Sequence, residues 1–201
     1  MKATKVQSTL KEIIDFVLYP SKNIRREIKK AARQIVNDYR SRGIHYVIAV
    51  VIMNGASFVA TQLLLEIGRI CFKLEYELKV IFDTMTISSY GENSESSGEY
   101  LLKKDMHNAP RGKEILFIED IIDTGGQYQY LMDLFSLENR RPANIRFFSM
   151  INKNSRRVHK VKIDYCCFLL NDDYYVAGFG LDYRYGYRNH PDIFVVKKEW
   201  Q

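Results

Sequence analysis

The chain holds 201 residues, 46% of them hydrophobic and 27% charged, with a formal net charge of +6 and an isoelectric point near 9.1. That length suits one well-buried domain rather than two independent ones, and the composition excludes a disordered chain. Residues 1–11 alternate polar and charged side chains and no apolar run is long enough to span a bilayer, so neither a signal peptide nor a membrane partner is expected. Cys71, Cys166 and Cys167 all sit in apolar sequence, which predicts reduced core thiols rather than disulfides or a metal site, and a cytoplasmic address. The basic balance is compatible with nucleic acid and equally with small polyanionic substrates. The densest basic run, Lys153, Arg156, Arg157, Lys160 and Lys162, lacks interleaved aromatic side chains, so it is read first as a solvated face, second as part of the active-site surroundings, and argues against a nucleic-acid partner.

Ile24, Ile28, Ala31, Ile35 and Tyr39 recur every three or four positions, predicting an amphipathic helix over 21–42 with Ser21 as its N-cap after Pro20. Residues 46–53 are an unbroken apolar run rich in β-branched side chains, the pattern of a central buried strand. Asn54, Gly55, Ala56 and Ser57 break that run, and a helix is predicted over 58–67. From Phe72 to Phe82 apolar residues alternate with Lys73, Glu75, Glu77 and Lys79, which predicts a strand with one wet face or a turn between two shorter strands. Residues 90–113 show little periodicity, and so long a stretch inside a compact domain is functional or disordered. A buried strand over 115–118 follows, then a helix carrying Tyr128, Leu131, Met132 and Phe135, then strands over 145–151, 165–168, 175–178 and 193–196. Strand and helix alternate through the middle, so the expected class is α/β on a parallel sheet with right-handed crossovers.

The chemistry concentrates in residues 115–127. Ligands gather beyond the carboxyl ends of parallel strands, and the apolar run 115–118 leads straight into Glu119, Asp120 and Asp123. Carboxylates that close repel one another, so their crowding points to a cation, to a row of ligand hydroxyls, or to both. Thr124, Gly125, Gly126 and Gln127 add a turn whose backbone N–H groups can face an anion at the start of a helix.

Glu119-Asp120-Ile121-Ile122-Asp123-Thr124-Gly125 resembles the phosphoribosyl pyrophosphate signature of type I phosphoribosyltransferases, in the wording of their hypoxanthine-guanine branch. Three further segments match in order: residues 87–98 resemble the family's mobile lid, Lys153 falls at its purine-reading lysine, and 178–183 with Arg188 resemble its C-terminal purine and pyrophosphate segment. The resemblance covers roughly residues 15–197. It implies one phosphoribosyltransferase domain over 1–201, with a core at about 21–151, a hood from about 1–20 and 152–201, and a lid at about 89–113. It also implies Mg²⁺ as cofactor, phosphoribosyl pyrophosphate and a 6-oxopurine as partners, and a homodimer or homotetramer.

The resemblance implies roles residue by residue. Asp123 is the general base for the purine; Glu119 and Asp120 take the ribose hydroxyls and, with Asp182, the metal. Thr124, Gly125, Gly126 and Gln127 hold the 5′-phosphate, Asn54, Gly55 and Arg188 hold pyrophosphate, and Ser89 and Tyr90 close over the site. Lys153 donates to the exocyclic oxygen of the base, which an amino group could not accept. Val176 faces the base edge and Tyr175 stacks on it, although counting forward from Asp164 selects Tyr174 instead. Three features depart from the family: Asn54 stands where a lysine is usual, after a bond that can be cis, the phosphate loop reads Thr-Gly-Gly-Gln, and the stacking aromatic is a tyrosine where phenylalanine is frequent. Two functions follow from different classes, a purine salvage enzyme and a non-catalytic regulator of the same fold that binds nucleotide and nucleic acid.

Overall fold

The structure is a computed structural model that describes residues 9–89 and 100–201. Tyr90 and the rest of residues 90–99, the first part of the expected lid, lie outside the described residues. In chain order the elements are α1 (Leu10–Ile13), β1 (Ile14–Tyr19), α2 (Ser21–Ser41), β2 (Tyr46–Met53), α3 (Ser57–Lys73), β3 (Lys79–Ser89), β4 (Tyr100–Lys104), β5 (Glu114–Ile122), α4 (Gly126–Ser136), β6 (Asn144–Lys153), β7 (Tyr165–Leu170), β8 (Val176–Ala177), β9 (Ile193–Val196) and a closing 3₁₀ turn, Lys198–Trp200.

Six strands form the main sheet in the order β4-β3-β2-β5-β6-β7, parallel except for the β4 edge, which runs antiparallel to β3. Successive side chains of a strand point to opposite faces, so β2 serves two cores at once. Val47, Ala49 and Val51 pack with α2 and α3, whereas Ile48, Val50 and Ile52 pack with Leu131 and Phe135 of α4. Both faces are thereby covered, as the continuous apolar run of β2 requires. A second, antiparallel sheet in the order β1-β9-β8 joins the two ends of the chain into a hood.

Several expectations need correction. Ser21 is the first residue of α2 rather than its cap, and its N–H donates to Asp192 Oδ1 at 2.6 Å, an acceptor 171 positions away that no local pattern reveals. Phe72 and Lys73 close α3, because the buried spacing Leu63, Ile67, Ile70, Cys71 carries the helix past 67, and the predicted strand begins only at Lys79. Its inward face is Asp83, Met85 and Ile87, so the predicted phase is reversed and Phe82 is 60% exposed. The aperiodic stretch 90–113 contains β4, and its turn is held by the Asp83 carboxylate, which accepts the N–H groups of His107 and Asn108. Glu119 and Asp120 lie inside β5 rather than beyond it, and the strand predicted at 175–178 is only Val176–Ala177.

Candidate active site

The carboxyl ends of β2 and β5, adjacent and parallel, open into a cleft of about 410 Å³. On the β2 side, Asn54 and Gly55 form its floor, and the Met53–Asn54 peptide is cis. Gly55 has no room for a side chain: a Cβ there would collide with the Asp120 carboxylate. Its carbonyl in turn abuts Gly180 of the hood, where φ is +100°, so backbone meets backbone at the junction of the two sheets.

On the β5 side, Glu119 is buried, and its Oε1 accepts a 2.5 Å hydrogen bond from Gln127 Nε2. Burial pushes the Glu119 carboxyl well above the usual carboxylate range; the Asp120 charge adds to this and the Gln127 bond opposes it. Burial likewise raises Asp120, to about 6, with the Ile121 N–H and Arg188 pulling down and Asp182 pushing up. Across the cleft Asp182 Oδ1 pairs with Arg188 Nη2 at 2.7 Å, while Arg188 Nη1 donates to the Gly180 carbonyl.

Asp123 follows β5 and lines the same cleft. Its Oδ2 lies 3.7 Å from Lys153 Nζ, and its Oδ1 is buried without a hydrogen-bond partner. Lys153 ends β6 and is only 5% exposed, so it is no surface lysine; its ammonium also pairs with Asp173 at 2.7 Å. The next loop is fixed from outside. The Thr124 carbonyl accepts the N–H groups of Val158 and His159, and Gly125 adopts φ +86°, where a Cβ would lie 2.6 Å from Val161. Helix α4 starts at Gly126, whose N–H donates to Thr124 Oγ1 at 3.4 Å, and the positive end of the helix faces the cleft side of this loop, where an anion is favoured.

Asn54, Gly55, Glu119, Asp120, Asp123, Thr124, Gly125, Gln127, Asp182 and Arg188 therefore share one cleft, with Gly126 behind it and Lys153 reaching it through Asp123. Ser89 closes β3, and neither Tyr175 nor Val176 is on the cleft wall. Val176 is buried in the hood sheet, whereas Tyr175 is 41% exposed and meets Tyr183 edge-on at 6.2 Å. Tyr174 packs edge-on against Phe16 at 5.5 Å. Sequence reasoning missed Tyr100, Tyr128, Arg156 and Phe147 as cleft walls, and missed Asp173 and Arg157. Tyr100 had one signal, its place at the end of the aperiodic stretch; its hydroxyl sits where a Cβ on Gly126 would be.

The family model for the phosphoribosyl transferase domain matches residues 17–184. The chain belongs to the phosphoribosyltransferase family. It is 33% identical over 190 residues to the hypoxanthine-guanine phosphoribosyltransferase of Streptococcus pyogenes serotype M3, covering 94% of this chain and 97% of that one. The Streptococcus pneumoniae enzyme of the same name is also 33% identical over 190 residues, with the same coverage. Among solved structures, a hypoxanthine phosphoribosyltransferase from Staphylococcus aureus superimposes with a TM-score of 0.80 at 26% identity, covering 97% of this chain and 98% of that one. The Trypanosoma cruzi enzyme gives 0.81 at 26%, covering 96% and 95%.

Among the described residues of this phosphoribosyltransferase, no group of three His, Cys, Asp or Glu side chains is arranged to hold a metal ion unaided. The acids nevertheless fit one. Glu119 and Asp120 are desolvated beside one another and the Asp182 charge adds to the rise of Asp120, so a cation would relieve a crowding of carboxyls that Gln127, the Ile121 N–H and Arg188 offset only in part. Magnesium in particular takes few protein carboxylates and completes its shell with substrate oxygens and water.

Proposed function

We propose that this phosphoribosyltransferase is a purine salvage enzyme that transfers 5-phosphoribose from phosphoribosyl pyrophosphate to a 6-oxopurine, hypoxanthine or guanine and with xanthine as a third candidate, giving IMP or GMP from the first two and pyrophosphate. The observation that carries this reading is the pairing of Asp123 with Lys153 at 3.7 Å, at the edge of a cleft whose other walls are Asp120, Asp182 and Arg188. A purine nitrogen forms the new bond to ribose C1′ as the bond to pyrophosphate breaks, and the Asp123 carboxylate, which lines the cleft, takes the N7 proton. Lys153 donates to the 6-oxo group, a selection against adenine because an ammonium cannot accept from an amino group. Tyr175 stacks on the base and Val176 meets its edge through the backbone.

The Thr124–Gln127 loop holds the 5′-phosphate through its backbone N–H groups and the Thr124 hydroxyl, and Arg188 with the Asn54–Gly55 turn holds pyrophosphate. Gln127 departs from the hydroxyl expected there: its amide is spent on Glu119, so backbone donors carry the phosphate contact. Glu119, Asp120 and Asp182 would hold magnesium directly or through water; when bound it supplies charge neutralisation of the leaving pyrophosphate. Ser89 and Tyr90 belong to a lid over about 89–113 that excludes water, and the core and hood divide near residues 20 and 151. Among the described residues no helix is long and apolar enough to cross a membrane, and the unpaired Cys71, Cys166 and Cys167 suit the cytoplasm.

A nucleotide-binding regulator would need no base beside a buried lysine, so that alternative is not favoured. The deciding experiment is magnesium-dependent pyrophosphate release with hypoxanthine, guanine and adenine, wild type against Asp123→Asn. Turnover with the oxopurines alone, falling about a hundredfold or more in the variant, is expected. No release from folded protein that still binds phosphoribosyl pyrophosphate would favour the regulator.

A further inference from the structure

Arg157 does not belong to a solvated basic face. Its guanidinium turns inward and bonds two different strand ends: Nε donates to the Asp123 carbonyl at 2.6 Å, while Nη2 donates to the carbonyls of Ile122 and Lys153, each at 2.9 Å, and to Asn152 Oδ1 at 2.6 Å. Burial lowers the pKa of this arginine, and the Asp123 charge pulls the other way. Placing a guanidinium here is therefore costly, and its bonds to polar acceptors offset that cost.

Those acceptors are not arbitrary. The parallel ladder between β5 and β6 ends with the register pair Ile122 and Asn152. Beyond it no ladder pair joins Asp123 to Lys153, although Lys153 still pairs with Leu170 of β7. The Arg157 fork takes over where the ladder stops. Its own segment is tied down in turn, since the N–H groups of Val158 and His159 donate to the Thr124 carbonyl.

We propose that Arg157 is a positioning residue, holding the proton-accepting Asp123 and the base-reading Lys153 in mutual register through their backbone carbonyls. The inference rests on the purine salvage reading for what those two side chains do, and on geometry alone for the clamp. Lysine cannot replace it, because one ammonium on a flexible stem does not match acceptors spread along a planar fork.

The experiment compares wild type, Arg157→Ala, Arg157→Lys, Asp123→Asn and the Arg157→Ala/Asp123→Asn double variant in hypoxanthine turnover, with hydrogen exchange followed over residues 119–126 and 150–158. Arg157→Ala is expected to lose about 10- to 100-fold in kcat/KM, to recover part of it on adding guanidinium, and to cost less than about threefold in the Asp123→Asn background, because residues acting through one another are not additive. Exchange should accelerate at both strand ends together. If Arg157→Ala is unfolded at the assay temperature, Arg157→Lys takes its place in the turnover, double-variant and exchange measurements, with the same losses expected. Wild-type turnover in a folded Arg157 variant, a loss that multiplies fully with Asp123→Asn, or faster exchange at only one strand end would overturn the proposal. Absence of turnover in the wild type would instead sink the salvage reading, and the exchange measurement would still decide the clamp.

Discussion

Asp120 has an ordinary carboxyl in an environment that opposes its charge. Burial raises it to about 6, against roughly 3.9 in an unfolded chain, with the Asp182 charge adding to the rise. The folded state then holds more protons than the unfolded state between about pH 4 and pH 6. Stability therefore falls as pH rises through that window and stays lower above it. Asp120→Asn removes the charge while its Oδ1 can still accept the Ile121 N–H, a bond of 2.9 Å in the native chain. Its melting temperature at pH 7.5 should exceed that of wild type by several degrees, from a shift worth at most about 3 kcal/mol. Melting curves from pH 4 to 8 check this: the gain should shrink to nothing near pH 4, and an equal or lower melting temperature at pH 7.5 would count against burial as the cause. The acids themselves are legible in sequence, since three carboxylates crowded after an apolar run repel one another and require a cation or ligand hydroxyls beside them. Arg157 and Asp173 are not, because their partners lie on strand ends brought together by tertiary pairing, and a basic run looks the same from sequence whether it faces water or a carbonyl.

At the scale of elements, the joint between hood and core is a backbone contact at Gly180 and Gly55. Gly180 sits at φ +100°, and a Cβ there would strike the Gly55 carbonyl. The same Gly180 carbonyl accepts from Arg188 Nη1, so a shift of this turn displaces the arginine assigned to pyrophosphate. Gly180→Ala should cost on the order of 2–4 kcal/mol, lowering the melting temperature by about 5 °C or more, and should raise KM for pyrophosphate in the reverse reaction. Gly68→Ala is the internal control: within α3 a Cβ there meets nothing within 4 Å, and helix propensity alone predicts a gain of up to about 1 kcal/mol. Parallel melting curves and reverse-reaction kinetics test both, and a Gly180→Ala variant as stable and active as Gly68→Ala would mean the joint tolerates the added atom. Elements with a strong internal period are legible, as α2 and β2 are. The stretch 72–78 is not, because its alternation mimics a strand while the buried spacing of α3 runs on through Cys71. The turn at 106–108 is held by Asp83 from another element, a bond that leaves no mark in its own sequence.

At the scale of the molecule, α3 leaves part of itself uncovered. Phe58, Leu65 and Phe72 are spaced by seven residues, so on a helix of 3.6 residues per turn they fall along nearly one line. They are 39%, 56% and 87% exposed, where a monomer of this size would ordinarily present polar side chains. The line begins at the active site: Phe58 follows the Asn54–Gly55 turn, and its ring centroid lies 6.4 Å from that of Phe179 in the hood. The homodimer or homotetramer that the family resemblance implies would place a second copy of this chain on this stripe. A symmetric contact places the same patch on both partners, so one substitution acts twice. Leu65→Asp introduces two facing carboxylates into an apolar seam and should convert the assembly to monomer at micromolar concentration, as light scattering coupled to size exclusion would read. Because the seam adjoins the Asn54–Gly55 turn, the monomer should also bind pyrophosphate more weakly while Lys153 and Asp123, on β6 and after β5, keep their pairing. An unchanged mass for Leu65→Asp would place the interface elsewhere, and a monomeric wild type would leave the α3 stripe to a partner of different kind.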